Sequence, residues 1–167
     1  LKWRVIALLF LDSFYTFYKI LLYNIRMNDR LENCPCGSKI RYKSCCEPYV
    51  SQIVSPPNAL ALMKSRYSAY VVGNANYIVV TTCEKNRVLH KLEDIEIWSK
   101  QCQFLSLKIV DVLPEVVEFE AMYKTEGSYF VHHERSSFKQ ESGIWCYEDA
   151  LFVKNYKIEP KRNEFCL

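Results

Sequence analysis

The chain has 167 residues, 50% of them hydrophobic and 14% aromatic, with 4 Gly and 8 Cys. That composition excludes collagen-like, low-complexity and acidic disordered classes and suits one ordinary domain with a small accessory element. The net charge of +3 belongs wholly to residues 1–26, where Lys2, Arg4, Lys19 and Arg26 stand against Asp12; the remainder is neutral, so no nucleic-acid partner is argued.

Residues 1–26 form an apolar leader that begins without Met and is broken by Asp12 and Lys19. A spanning helix needs about 20 mostly apolar residues, and no small-residue cleavage site follows as a signal peptide requires. Two readings stand. In one, Met27 is the natural start and the leader comes from an over-extended reading frame. In the other, the leader is an amphipathic helix on a membrane surface, with Trp3 and basic residues at its ends. Without a real leader no membrane contact is expected.

The next unit, 27–50, contains NCPCGSKIRYKSCCEPY at 33–49. Ser38 can cap a short helix running to Lys43, and Pro48 then stops it. From 55 to 158 the pattern is that of a larger domain. Ser55-Pro56-Pro57 offers an N-cap with Pro at the first helical position. Leu60, Met63, Tyr67, Tyr70 and Val71 recur at helical spacing until Gly73. A short helix is expected from Asn74 to Thr82, and a third is marked by Leu89, Leu92, Ile95 and Trp98.

After Gln101 the period drops to two. Strands are expected at Phe104 to Leu113, Glu115 to Thr125, Tyr129 to Lys139 and Ile144 to Asp149, with a short fifth near Phe152 to Tyr156. In the second, Val117, Phe119, Ala121 and Tyr123 alternate with Val116, Glu118, Glu120 and Met122. Helices first and an antiparallel meander afterwards predict an α+β fold, with helices packed on a curved antiparallel sheet.

Cys34, Cys36, Cys45 and Cys46 crowd into thirteen residues, while Cys83, Cys102, Cys146 and Cys166 are scattered. A disulfide-stapled domain would spread its pairs, so the pattern points to a reducing compartment, the cytoplasm, and to a metal site. Zinc takes four thiolates in a tetrahedron. A Cys-Pro-Cys-Gly turn supplies one pair and the Cys45-Cys46 step the other, which predicts one closed, structural zinc ion. Its four thiolates carry a net charge of −2 with the metal, which Lys39, Arg41 and Lys43 would offset. Tyr42 and Tyr49 are the large side chains on hand as a local core. Cys83, Cys102 and Cys146 read as small buried apolar residues.

The stretch CPCGSKIRYKSCC resembles the SEC-C motif, the zinc knuckle at the tail of the SecA preprotein translocase ATPase, with Cys rather than His as the last ligand. The resemblance implies zinc on Cys34, Cys36, Cys45 and Cys46. By analogy with that tail, it also implies docking on a protein partner such as the SecB export chaperone or the ribosome. ALMKSRYSAYVVGNANYIVVTT, VEFEAMY and HHERSSFKQESGIWCYED resemble the YchJ-like family of bacterial proteins. There a SEC-C knuckle precedes a cone-shaped domain like those of nuclear transport factor two and ketosteroid isomerase. Arg162-Asn163-Glu164-Phe165-Cys166, in the tail at 159–167, is similar to the lead of a second knuckle that stops after one cysteine.

The resemblance places Arg66, Tyr67, Glu134, Arg135, Trp145 and Asp149 in recurring motifs but assigns them no reaction. A cone encloses a pocket between helix and sheet. His133, Glu134 and Arg135 are the candidate polar groups if the pocket binds a ligand or does chemistry. His133 shares a strand face with Val131 and Arg135, and His132 shares one with Phe130 and Glu134. The competing structural role is a brace, in which Arg66 or Arg135 pairs with Glu134 or Asp149. His90 reads as a surface residue. No Gly-rich phosphate loop, Gly-x-Ser-x-Gly elbow or His-Glu-x-x-His is present.

Two functions follow. A zinc-binding adaptor would dock through Lys39, Arg41 and Lys43, bury its Arg–carboxylate braces and leave no cavity; a homodimer through the sheet is compatible with it. A small-ligand binder or enzyme would hold an apolar cavity with convergent polar groups.

Overall fold

The computed structural model describes residues 33–159. The leader at 1–26 and the stretch Arg162 to Cys166 lie outside the described residues. Among those described, no helix is long and apolar enough to cross a membrane.

The cysteine unit is a loop followed by a 3-10 turn at Tyr42–Ser44 and a short helix α1 at Glu47–Val50. The helix expected from Ser38 to Lys43 does not form. Lys39 has a φ of 61°, and the Ser38 hydroxyl accepts from the Ile40 amide at 3.3 Å instead of capping. Nor does Pro48 stop a helix. It stands in the first turn of α1, where a missing N–H leaves no bond unmade.

Helix α2 spans Ala59–Val72, and its N-cap is Asn58, three residues later than Ser55; the Asn58 Oδ1 accepts from the Ala61 amide at 2.8 Å. Each proline disfavours helical backbone in the residue before it, so Ser55 and Pro56 cannot open the helix. Gly73 closes α2 in the left-handed conformation, and Asn74 caps α3, Ala75–Val80, by accepting from the Tyr77 amide at 3.0 Å. A 3-10 segment at Glu84–Leu89 leads to α4, Leu92–Gln101.

Four antiparallel strands follow as a meander in the order β1-β2-β3-β4: Gln103–Val112, Val116–Thr125, Ser128–Glu141 and Ile144–Ile158. Glu126-Gly127 and Ser142-Gly143 make the two-residue turns, both residues of each pair having positive φ, the geometry whose twist matches that of the flanking strands. The expected fourth and fifth strands are one. Phe152 pairs with Arg135 and Ala150 with Ser136, then Asp149 with Ser137 and Tyr147 with Phe138. Leu151 and Glu148 are therefore extra residues in β4. Each bulge resets the alternation of side chains.

Helices α2 and α4 lie on one face of the sheet. The buried core joins Leu62 and Ala69 of α2, Tyr77 and Ile78 of α3, Val117 of β2 and Phe138 of β3. On the opposite face, Arg135 bonds Asp111 at 3.2 Å and Glu118 at 2.7 Å, and Glu118 also meets His133 at 2.8 Å. Cys83 and Cys146 are not separate thiols but a buried disulfide. They lie beside the backbone bonds Cys83 N to Tyr147 O and Tyr147 N to Thr81 O, both 2.8 Å, which bring together residues 63 positions apart.

Candidate functional site

The loop at Asn33 to Ile40 is closed by two backbone bonds, Cys34 N to Ile40 O at 2.7 Å and Gly37 N to Cys34 O at 3.1 Å. Gly37 has a φ of +79°, and a Cβ there would lie 3.6 Å from the Leu107 carbonyl of β1. A residue with a side chain would be strained by the backbone conformation rather than by space. This turn gathers Cys34 and Cys36, and the 3-10 turn at Tyr42–Ser44 returns Cys45 and Cys46 to them. All four Sγ atoms lie within 4.8 Å of one another, with Cys36 to Cys45 at 3.6 Å and Cys45 to Cys46 at 3.9 Å. A tetrahedral ion with metal–sulfur bonds of about 2.3 Å needs sulfurs about 3.8 Å apart. The donor set therefore fits one metal ion with four sulfur ligands.

Protons alone serve this cluster poorly. Thiol hydrogen bonds from Cys34 and Cys46 hold Cys36 well below the usual thiol range, while those with Cys34 and Cys36 push Cys46 far up. Burial raises Cys45 to about 11. One sulfur ionises at the expense of its neighbours, and a divalent cation is what lets several do so together. Cys34, Cys36 and Cys46 are buried, whereas Lys39, Arg41 and Lys43 are exposed on the loop between them.

The local core is larger than Tyr42 and Tyr49. Cys34 Sγ lies 3.7 Å from the Ser68 hydroxyl of α2, and Asn74 Nδ2 donates to Val50 O at 3.3 Å. Tyr42 and Val50 are almost wholly buried. The knuckle is thus welded to the helices of the cone.

A second candidate site is a cavity of about 190 Å³ between α2, α4 and the sheet. Its wall is mostly aromatic. Trp98 meets Tyr70 and Phe104 edge-on, each with ring centroids 5.0 Å apart, and Tyr67, Phe119 and Phe138 also line it. The polar groups converge from three elements. From β3, Glu134 takes His132 Nε2 at 2.7 Å on one oxygen, and on the other the Ser136 hydroxyl at 2.5 Å and the Tyr147 hydroxyl at 3.2 Å. From α2 comes Arg66, and from the segment before α4 comes His90.

The strand candidates therefore divide between faces. Glu134 points into the cavity, while His133 and Arg135 belong to the opposite face with Glu118 and Asp111. Of the two strand histidines, His132 is the one that lines the cavity; its parity with Glu134 is the signal for it. His90 is not a simple surface residue. It lines the cavity, its ring 5.8 Å from that of Tyr147, and burial together with Arg66 holds its pKa down. Among the described residues Arg66 braces no carboxylate. Its Nη1 donates to Ile78 O at 2.7 Å, Thr81 Oγ1 at 2.8 Å and Thr82 Oγ1 at 3.3 Å. Its signal was a charged residue within the apolar stripe Met63, Tyr67, Tyr70. Trp145 lies away from the cavity wall and donates from Nε1 to Pro57 O at 3.2 Å.

A knuckle of four cysteines fused to a cone of helices on a curved antiparallel sheet defines a SEC-C protein with a fold like that of nuclear transport factor two. Residues 32–48 match the SEC-C motif, and residues 58–150 match the family described as YchJ, middle NTF2-like domain. The chain belongs to this YchJ-like family. It is 36% identical over 124 residues to a UPF0225 protein of Haemophilus influenzae, covering 71% of this chain and 77% of that protein. With a UPF0225 protein of Serratia proteamaculans it shares 34% identity over 146 residues, covering 81% and 90%. The solution structure of a SEC-C motif containing protein from Rhodopseudomonas palustris superposes with a TM-score of 0.67 at 34% identity, over 73% of this chain and 99% of that one. The crystal structure of another, from Psychrobacter arcticus, gives 0.64 at 30% identity, over 71% and 81%.

Proposed function

We propose that Cys34, Cys36, Cys45 and Cys46 hold one structural zinc ion and that the knuckle docks the protein on a protein partner. The observation that carries this reading is the sulfur tetrahedron with its basic loop turned outward. Four protein ligands leave no open position for substrate, so the ion organises the loop rather than catalysing. The loop's Lys39, Arg41 and Lys43 then suit an acidic partner surface. The translocase tail makes an export chaperone or the ribosome the first partners to try, and the cytoplasm the compartment. The Cys83–Cys146 bond is the observation that pulls against a reducing compartment.

Metal analysis of the purified protein should find one zinc per chain, lost in Cys45→Ser/Cys46→Ser. In affinity capture, Lys39→Glu/Arg41→Glu should keep the zinc and lose the partner. A partner set unchanged by that charge reversal would reject docking through the loop. The cavity is one that the adaptor reading expects to be absent, and it favours a second reading for the cone itself, the binding of a small ligand, since an apolar wall with convergent polar groups is what such sites share.

A further inference from the structure

Arg66 is 8% exposed, and among the described residues no carboxylate comes within ion-pair distance of its guanidinium. A buried cation is ordinarily met by an anion, because its lost hydration is otherwise uncompensated. Here the partners are a backbone carbonyl, two hydroxyls and the face of Tyr147, 4.6 Å away. All three hydrogen bonds leave from Nη1, so the Nη2 and Nε donors, the pair that grips a carboxylate side-on, remain for the cavity that Arg66 lines.

Glu134 forms no direct ion pair with it, because that carboxylate is engaged by His132, Ser136 and Tyr147, and it acts on Arg66 only through space. His132 in turn has oxygen acceptors on both ring nitrogens, Glu134 Oε2 and Asn155 Oδ1, each at 2.7 Å, an arrangement that the doubly protonated ring satisfies. With His132 in that doubly protonated form, the polar cluster carries one positive charge more than negative, and the excess lies at Arg66. Around it the wall is aromatic, and an apolar cavity of about 150 Å³ already accepts a benzene ring.

We propose that the cone cavity binds a small monocarboxylate with a flat apolar body, its carboxylate held by Arg66 and its body packed among Tyr67, Tyr70, Trp98 and Phe104. This inference rests on the ligand-binding reading of the cone and names the class of ligand.

The test uses the full chain with benzoate and its neutral counterpart, benzyl alcohol, followed by Trp98 indole N–H shifts and by calorimetry. Benzoate should bind at least about tenfold more tightly, the worth of a charge-assisted hydrogen-bonded pair. Arg66→Gln should remove that preference. Ala121→Leu, which fills the cavity from β2 and leaves Arg66 in place, should abolish binding of both probes. Equal binding of the two probes by the wild type would overturn the carboxylate assignment while leaving a ligand cavity. Binding of neither would overturn both. The wild-type comparison decides the matter even if Arg66→Gln fails to fold.

Discussion

Arg66 of α2 stacks its guanidinium over the ring of Tyr147 in β4, 4.6 Å from the centroid. The same tyrosine gives its hydroxyl to Glu134, so one side chain joins helix and sheet on the cavity floor. Tyr147→Phe keeps the ring and loses the hydroxyl bond, and should lower unfolding stability by about 1 kcal/mol. Tyr147→Leu also removes the aromatic face and should cost about 3 kcal/mol. Urea unfolding of the two variants should reproduce that order; equal effects would mean that the ring contributes nothing to holding Arg66.

Metal removal should act locally first. The knuckle draws on Tyr42 and Val50, which are buried with the cone, so a strong chelator should loosen the loop while the sheet persists. Hydrogen exchange should quicken at Cys34 to Val50 well before β2 and β3, and Cys36→Ser should mimic the chelator. Uniform exchange along the chain would show instead that knuckle and cone unfold as one.

The His132–Glu134 pair should leave a mark on the pH dependence of stability. Burial pulls the imidazole pKa down, but the Glu134 carboxylate and Asn155 more than reverse it, and the result lies above the ordinary 6.5. Burial likewise raises Glu134, yet its bonds to His132, Ser136 and Tyr147 bring it below 4.5. A raised histidine stabilises fully below 6.5 and loses its contribution as pH rises through its folded value. A lowered carboxylate contributes above 4.5 and loses it as pH falls through its own. Stability from the pair is thus greatest between those limits. His132→Gln should flatten the decline above 6.5; a decline that persists unchanged would assign it to another group.

The thiol spacing and the strand parity were legible because both are local. Cys34, Cys36, Cys45 and Cys46 are close along the chain and need only two turns to meet, and His132 shares a face with Glu134 whatever the fold does. Which face turns inward depends on where α2 and α4 pack, and no residue of β3 records that. Hence His133 and Arg135 were grouped with Glu134 although the sheet separates them. The bulges at Glu148 and Leu151 hid the unity of β4 by breaking its period. Arg66 offers a signal, a charge within an apolar stripe, but a brace and a ligand site look alike until the described residues are seen to place no carboxylate on it.

Cys83 and Cys146 gave no signal in their spacing, since 63 positions separate them and the contact is made by the Thr82 and Tyr147 bridge. Their bond closes the 3-10 segment and α4 into one loop with the sheet and fixes the backbone of Tyr147, on which Arg66 rests. In the chain-entropy account, a loop of that length is worth about 4 kcal/mol. Cys83→Ala/Cys146→Ala should therefore lower the urea midpoint and weaken benzoate binding together, because the same strand holds Tyr147. Alkylation of the native protein followed by mass spectrometry should leave this pair unmodified until a reductant is added. If reduction leaves both stability and binding unchanged, the bond is dispensable, and the hydrogen bonds between Thr81, Cys83 and Tyr147 hold this edge without it.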